Sequence, residues 1–255
     1  MFDEAVLGYW QEFRFRISLC LGWFLGCFCL SYAYSNWLYS LITWPVSSIL
    51  SSSFVVLSLV DTLTTPLRLS WYVAWFMTVP LFFYQMGAFV WPAMYKQERR
   101  LCLTVLLLAI ALYYFGTLFA LGVMSPFLVY YIKAILPPSV TYMPDMKLYI
   151  DFMIYLSMCF GWVFELPLAM MFLVYFNWCS RQKLASFRRY FIIIAFIVGM
   201  VLTPPDVLSQ CLLAIPLCLV YEFGLLILYL AHRFGLFRSV RGLQSHDKLQ
   251  IIQQV

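Results

Sequence analysis

The chain has 255 residues, 64% of them hydrophobic and only 11% charged, with a net charge of +5 and a mean hydropathy of +0.88. Soluble domains are roughly 45–50% apolar and about 25% charged, so this composition excludes a soluble globular protein and makes the bilayer part of the chain's solvent. No segment is polar enough to form a second domain, and the positive balance reads as a topology signal, not as a nucleic-acid footprint.

Residues 1–18 form a charged N-terminal segment with Asp3, Glu4, Glu12, Arg14 and Arg16. The apolar run that follows is longer than a 7–15-residue signal core and has no small-residue cleavage site, and no Arg/Ser-rich transit sequence precedes it. The chain is therefore expected to insert as translated, in a bacterial-type membrane or from an organelle's own ribosomes. A bilayer core needs about 20 apolar residues in a helix. Expected spans are 19–43, 69–92, 102–131, 151–176, 190–203 and 211–231. Gly22-x-x-x-Gly26 in the first is either a close-packing site or a chance spacing. The fifth span reaches only about 21 Å against a core near 30 Å, and the sixth is just long enough. Short spans thin the bilayer or shelter behind longer neighbours.

Between the spans, segments 1–18, 94–101, 177–189 and 232–255 hold 13 of the 16 basic residues; the opposite side keeps Arg68, Lys133 and Lys147. The positive-inside rule places the first group, and both termini, on the inner side. Both termini inside require an even number of spans, and six fits. The fold class is an all-α integral membrane protein: an inner-face N-terminal segment 1–18, a six-helix transmembrane domain 19–231, and an inner-face tail 232–255. The outer segments 44–68 and 132–150 contain Pro45, Pro66, Pro137, Pro138 and Pro144 and suit a structured cap. Trp37, Trp44, Trp71, Trp75, Trp91 and Trp178 fall near span ends, as an interfacial belt does. There is no internal repeat of the transporter kind.

Polar residues within spans are costly, about 2.5–3.5 kcal/mol or more for a central carboxyl, so they face protein or water. Glu165 sits mid-span, followed by Pro167, which frees a carbonyl one turn earlier and favours a kink. Glu222 lies centrally in the last span. Asp206 and Gln210 lie where the last two spans meet; Pro204-Pro205 stops one helix, and Asp206 is either the N-cap of the next or a functional acid. At the inner face, Glu12 and Glu98 each stand beside arginines. Each either pairs with these or receives a partner's guanidinium. Eight cysteines without a C-x-x-C read as small apolar residues, and His232 and His246 make no metal ligand set. No cofactor and no metal are expected.

Several of these residues lie in strings that resemble one family. Trp10-Gln11-Glu12-Phe13-Arg14-Phe15-Arg16 resembles the H-L-x-E-L-R-x-R-L opening of the TatC family, the multispanning receptor subunit of the twin-arginine protein translocase. Tyr84 to Arg100 is similar to its Y-Q-x-W-x-F-x-x-P-x-L-x-x-x-E-R, Phe160 to Pro167 to F-G-x-x-F-E-x-P, and Leu202 to Gln210, then Leu213 to Pro216 and Tyr221-Glu222, to L-T-P-P-D-x-x-S-Q…L-A-I-P…Y/F-E. The matches fall in order over residues 9–225. Departures are Tyr9-Trp10 for His-Leu, Phe13 for Leu, and Gly87 for an aromatic; the carboxylates stay in place.

The resemblance implies a concave six-span receptor with short fifth and sixth helices. It implies binding of the twin-arginine signal peptides of folded cargo, recruitment of single-span TatA/TatB-type subunits, and transport driven by the proton gradient. By position it implies Glu12, Arg14, Arg16, Phe89 and Glu98 in the signal-peptide site. It further implies Glu165, Pro167, Asp206, Gln210 and Glu222 in partner-helix docking and transport, a homo-oligomer within the receptor complex, and contact with membrane lipid but not nucleic acid. Few lysines and many Phe, Tyr and Cys resemble a mitochondrially encoded member, in the mitochondrial inner membrane, with a Rieske iron–sulfur protein as natural cargo; a bacterial plasma membrane is the alternative. An enzyme is not expected, since H-E-x-x-H and G-x-S-x-G are absent. A proton-coupled carrier or respiratory-complex subunit is the remaining alternative, on the strength of Glu165 and Glu222.

Overall fold

In the computed structural model, residues 2–47, 54–93, 96–137, 143–175, 178–203 and 206–233 are described, and they divide into two compact units, Met1–Trp162 and Val163–Val255. Apart from one isolated bridge, the regular structure among the described residues is helical. That is what hydrocarbon demands, because a helix satisfies every backbone N–H and C=O within its own segment.

In the first unit, α1 (Phe2–Ala33) is a continuous helix that runs through the expected boundary at residue 18. The expected span 19–43 does not continue as one helix: a turn at Tyr34 separates α1 from α2 (Ser35–Ser47). Ser35 and Asn36 offer the backbone local alternatives to helical bonds, and the Trp37 N–H turns back to the Tyr34 carbonyl. Beyond the turn, one apolar face of the helix packs on protein, while Trp37, Leu41 and Trp44 stay exposed. Leu38, Ile42 and Val46, at i, i+4 and i+8, are buried against Leu69, Val129, Tyr149, Ile150 and Met153.

α3 (Leu59–Val90) begins ten residues ahead of the expected span, because Ser58 caps it by accepting from the Val60 N–H at 3.3 Å. Pro80 within α3 removes the bond to the Phe76 carbonyl, and the Tyr114 hydroxyl donates to that oxygen at 3.2 Å. After a 3₁₀ turn (Trp91–Ala93), α4 (Lys96–Phe119) runs through a π-helical turn (Ala120–Met124) into α5 (Ser125–Ile135). Pro126 lies just past this wider turn and cannot donate to Gly122, which favours the local departure from α geometry.

α6 (Met146–Phe164) closes the unit. Gly161 lets it approach α4: a Cβ there would lie 2.9 Å from both Thr117 Cγ2 and Tyr113 Cε2. The two long segments expected outside the membrane are tied together, with the Val55 N–H donating to the Pro144 carbonyl and the Met146 N–H to the Val55 carbonyl. Two ion pairs join α3 to α6 at this end, Lys147–Asp61 at 2.6 Å and Arg68–Asp151 at 2.8 Å.

In the second unit, α7 (Leu166–Tyr175) starts after a break at Glu165, where Pro167 cannot continue the ladder. The short α8 (Arg181–Ser186) is capped by Ser180 and leads into α9 (Arg188–Leu202) and α10 (Val207–Arg233). Gly224 seats α10 on α7, since a Cβ there would lie 3.1 Å from Pro167 Cα. Gly199 seats α9 on α10, its Cβ position being 3.2 Å from the Gln210 carbonyl.

By length and composition, four stretches of the described residues can cross a membrane: Gly8–Ala33, Cys102–Ile135, Met146–Tyr175 and Val207–Ala231. The other two expected spans are helical, within α3 and α9, but α3 is diluted by Trp, Tyr, Thr and Pro, and α9 has only 15 residues.

Candidate functional site

Glu12 and Arg16 lie one turn apart on α1, the spacing at which helix side chains meet. Arg16 donates from Nε and Nη2 to Glu12 Oε1, at 3.2 and 2.6 Å. Its Nη1 reaches Gln85 Oε1 at 3.0 Å and its Nη2 the Ala88 carbonyl at 3.3 Å, both on α3. The Ala88 carbonyl is available because Pro92, four residues on, has no N–H to give it. Arg16 is thus a staple between α1 and α3. Glu12 spends one oxygen on it; Oε2 makes no hydrogen bond among the described residues, and the side chain is 39% exposed.

This cluster stands at one end of a cavity of about 520 Å³ between α1 and α3. Phe13 and Phe89 line that end with ring centroids 5.7 Å apart, and Trp71, Trp75 and Trp162 lie further in. Arg14 points away from the pair and is exposed. Of the expected signal-peptide residues, Glu12, Arg16 and Phe89 come together here. Glu98 is on α4, but its side chain lies outside the described residues. Sequence reasoning gave no role to Gln85 or Phe13. The spacing of Gln85 and Phe89, one turn apart on α3, was the available signal. Arg99 stacks over the Trp91 ring at 5.8 Å, with its Nε buried and unpartnered among the described residues.

The second expected group does not form one cluster. Asp206 caps α10, accepting from the Ser209 N–H at 3.1 Å, and its carbonyl accepts from the Gln210 N–H. Asp206 and Gln210 therefore share one end of α10. Pro167 packs at Gly224, fourteen residues along that helix, about 21 Å at 1.5 Å per residue. Glu222 sits near this second level and pairs with Arg188 Nε at 3.1 Å. Glu165 adjoins Pro167, and its Oε1 is buried without a partner among the described residues. Pro204 and Pro205 lie outside the described residues. Among the described residues no group of His, Cys, Asp and Glu could hold a metal ion.

Known proteins are similar to this chain over most of its length. The family described as "Sec-independent protein translocase protein (TatC)" matches residues 9–216. The TatC of Haemophilus influenzae is 34% identical over 88% of this chain and 89% of its own length. That of Escherichia coli K12 is 36% identical over 84% and 83%. Against the TatC of Halothiobacillus neapolitanus, identity is 34% over 91% of this chain, which spans 64% of that protein's length. A crystal structure of a twin arginine translocase receptor, TatC, superposes with a TM-score of 0.76 at 29% identity, covering 88% of this chain and 99% of that one. The chain belongs to the TatC family: it is a membrane component of the Sec-independent protein translocase, a transport protein and not an enzyme.

Proposed function

We propose that this TatC-family chain is the receptor for twin-arginine signal peptides, with Glu12 and Glu98 as the two carboxylates that receive the paired guanidinium groups. One observation carries the reading: Glu12 holds Arg16 with a single oxygen and keeps the other available at the mouth of an aromatic cavity. An arginine matches a carboxylate in a planar fork that lysine lacks, which accounts for a double-arginine requirement. The apolar stretch that follows in a signal peptide suits the cavity beyond Phe13 and Phe89. In this reading Arg14 and Arg16 shape the patch, with Arg16 acting through Glu12 and α3. Photocrosslinking from position 98 to a twin-arginine precursor, against the same precursor with two lysines, tests it. A crosslink confined to the arginine form is expected; equal crosslinking of both would sink the assignment.

Around this site the proposal sets six spans with both termini inside, an N-terminal segment 1–18, a transmembrane domain 19–231 and an inner tail 232–255. The charge distribution supports it. Cysteine accessibility at positions 3 and 250 from the two sides tests it, and labelling of the two termini from opposite sides would break it. Single-span TatA/TatB-type subunits dock on the second unit at two levels, Asp206 with Gln210 at one end and Glu165, Pro167 and Glu222 at the other. A partner helix with one polar residue would gain by satisfying the buried Glu165 oxygen. Loss of partner copurification on Glu165→Ala is the expected result. The composition supports a mitochondrial inner-membrane member that forms a homo-oligomer and carries a Rieske iron–sulfur protein. Normal export of that protein after depletion would overturn the cargo assignment, and the bacterial plasma membrane is the other location. A carrier of protons or small solutes would act alone in proteoliposomes; this chain is expected not to.

A further inference from the structure

We infer that the α8 end of the second unit is a headgroup site for an anionic phospholipid. The described basic residues of this unit, Arg181, Lys183, Arg188, Arg189 and Arg233, all lie on α8, at the start of α9 or at the last residue of α10. Three contacts fix these elements to one another. The Tyr221 hydroxyl donates to the Leu184 carbonyl at 2.8 Å, Phe191 stacks on Tyr221 with centroids 4.3 Å apart, and Arg188 meets Glu222. Arg181 lies over the Tyr229 ring at 5.5 Å, and Arg189 over Tyr190 at 5.0 Å. Tyr229 is eight residues past Tyr221, about 12 Å along α10, and Arg233 is one turn further. Arg181 and Arg233 therefore lie at the last turns of α10, Arg188 lies at Glu222, and Lys183 and Arg189 stand on the adjoining α8 and α9.

Their counter-charge is missing. Among the described carboxylates of the unit, Asp206 is at the opposite end of α10, Glu165 precedes α7, and Glu222 is already paired with Arg188. The side chains of Arg181, Lys183, Arg189 and Arg233 make no hydrogen bond or ion pair among the described residues. A guanidinium resting on a ring has its face occupied and its N–H edge free, a geometry that fits phosphate oxygens. Trp178, 79% exposed, stands beside the patch as interfacial tryptophans do. Exposed Ile192, Ile193, Phe196, Phe223 and Leu226 lie on the same helices next to the cations. A phosphate followed by acyl chains satisfies both surfaces, whereas an acidic peptide would use only the first.

The site rests on the chain being a TatC-family membrane protein and not on signal-peptide recognition, so the two tests fail separately. The full chain in detergent, given equimolar phosphatidylglycerol and phosphatidylcholine of the same acyl length, is weighed by native mass spectrometry. Preferential retention of phosphatidylglycerol is expected. It should fall about fivefold for each arginine removed in Arg181→Gln and Arg189→Gln, persist in the Lys variants, weaken as salt rises, and survive an equal amount of inorganic phosphate. Equal retention of the two lipids by the unmodified chain, or a preference indifferent to salt, would overturn the proposal without any variant having to fold. Displacement of the lipid by a polyglutamate peptide would overturn it in favour of an acidic protein segment.

Discussion

The two ends of α3 use the same chemistry for different ends. At the Asp61 end, α3 and α6 each give one cation and one carboxylate, pairing Lys147 with Asp61 and Arg68 with Asp151 and joining residues more than 80 positions apart. These charges are spent on folding. Lys133 is the one remaining cation expected on this side, so the ion pairs also remove most of the positive charge there. At the Gln85 end, the ion pair lies within α1 and so adds nothing long-range by itself. The tertiary bonds come from Arg16 to Gln85 and Ala88, and Glu12 is left with an oxygen in hand. A charge is free for recognition where neutral acceptors, here an amide and a proline-freed carbonyl, do the structural work.

Breaking this asymmetry should have graded effects. The largest is on recognition: Glu12→Gln should lower capture of a twin-arginine precursor by about thirtyfold or more in a nanodisc binding assay, with little change in unfolding midpoint. A large fall in midpoint instead would make Glu12 a folding residue like Asp61. Next, Lys147→Met strands the Asp61 carboxylate, whose side chain is 12% exposed, and should cost about 2–3 kcal/mol in denaturant unfolding. Adding Asp61→Asn should recover much of that loss, and no recovery would mean that the pair is not the source of the stability. Arg16→Lys keeps the charge but loses the fork across Glu12, Gln85 and Ala88. It should cost about 1 kcal/mol and weaken capture roughly fivefold. The smallest effect belongs to Arg68→Gln. Arg68 is half exposed, and the expected change is below about 1 kcal/mol.

Much of the candidate site could be read along the chain. Glu12 and Arg16 stand one turn apart, and Asp206 after two prolines is where an N-cap belongs; each contact depends on local spacing alone. Pro167 marked the helix break at Glu165 for the same reason. Other features were hidden. Nothing in the order of residues says that Pro92 frees a carbonyl for Arg16, or that Pro80 frees one for Tyr114, because the donors come from helices distant in sequence. The run from 19 to 43 reads as one span, yet one face of its second part is buried against α5 and α6; hydropathy does not distinguish lipid from protein as the apolar neighbour. The resemblance puts Glu165 and Gln210 in one docking group, and the seating of Gly224 on Pro167 sets Pro167, two residues past Glu165, about 21 Å from Gln210 along α10.

By itself the sequence determined the solvent, the helical class and the family, since these follow from composition, from spacing within single helices and from motifs in order. Tertiary structure decided which charges are spent and which remain. Whether a carboxylate is saturated depends on the cations and amides that other helices bring within about 3 Å, and that is settled by packing, through glycines such as Gly161, Gly199 and Gly224 that let backbones approach.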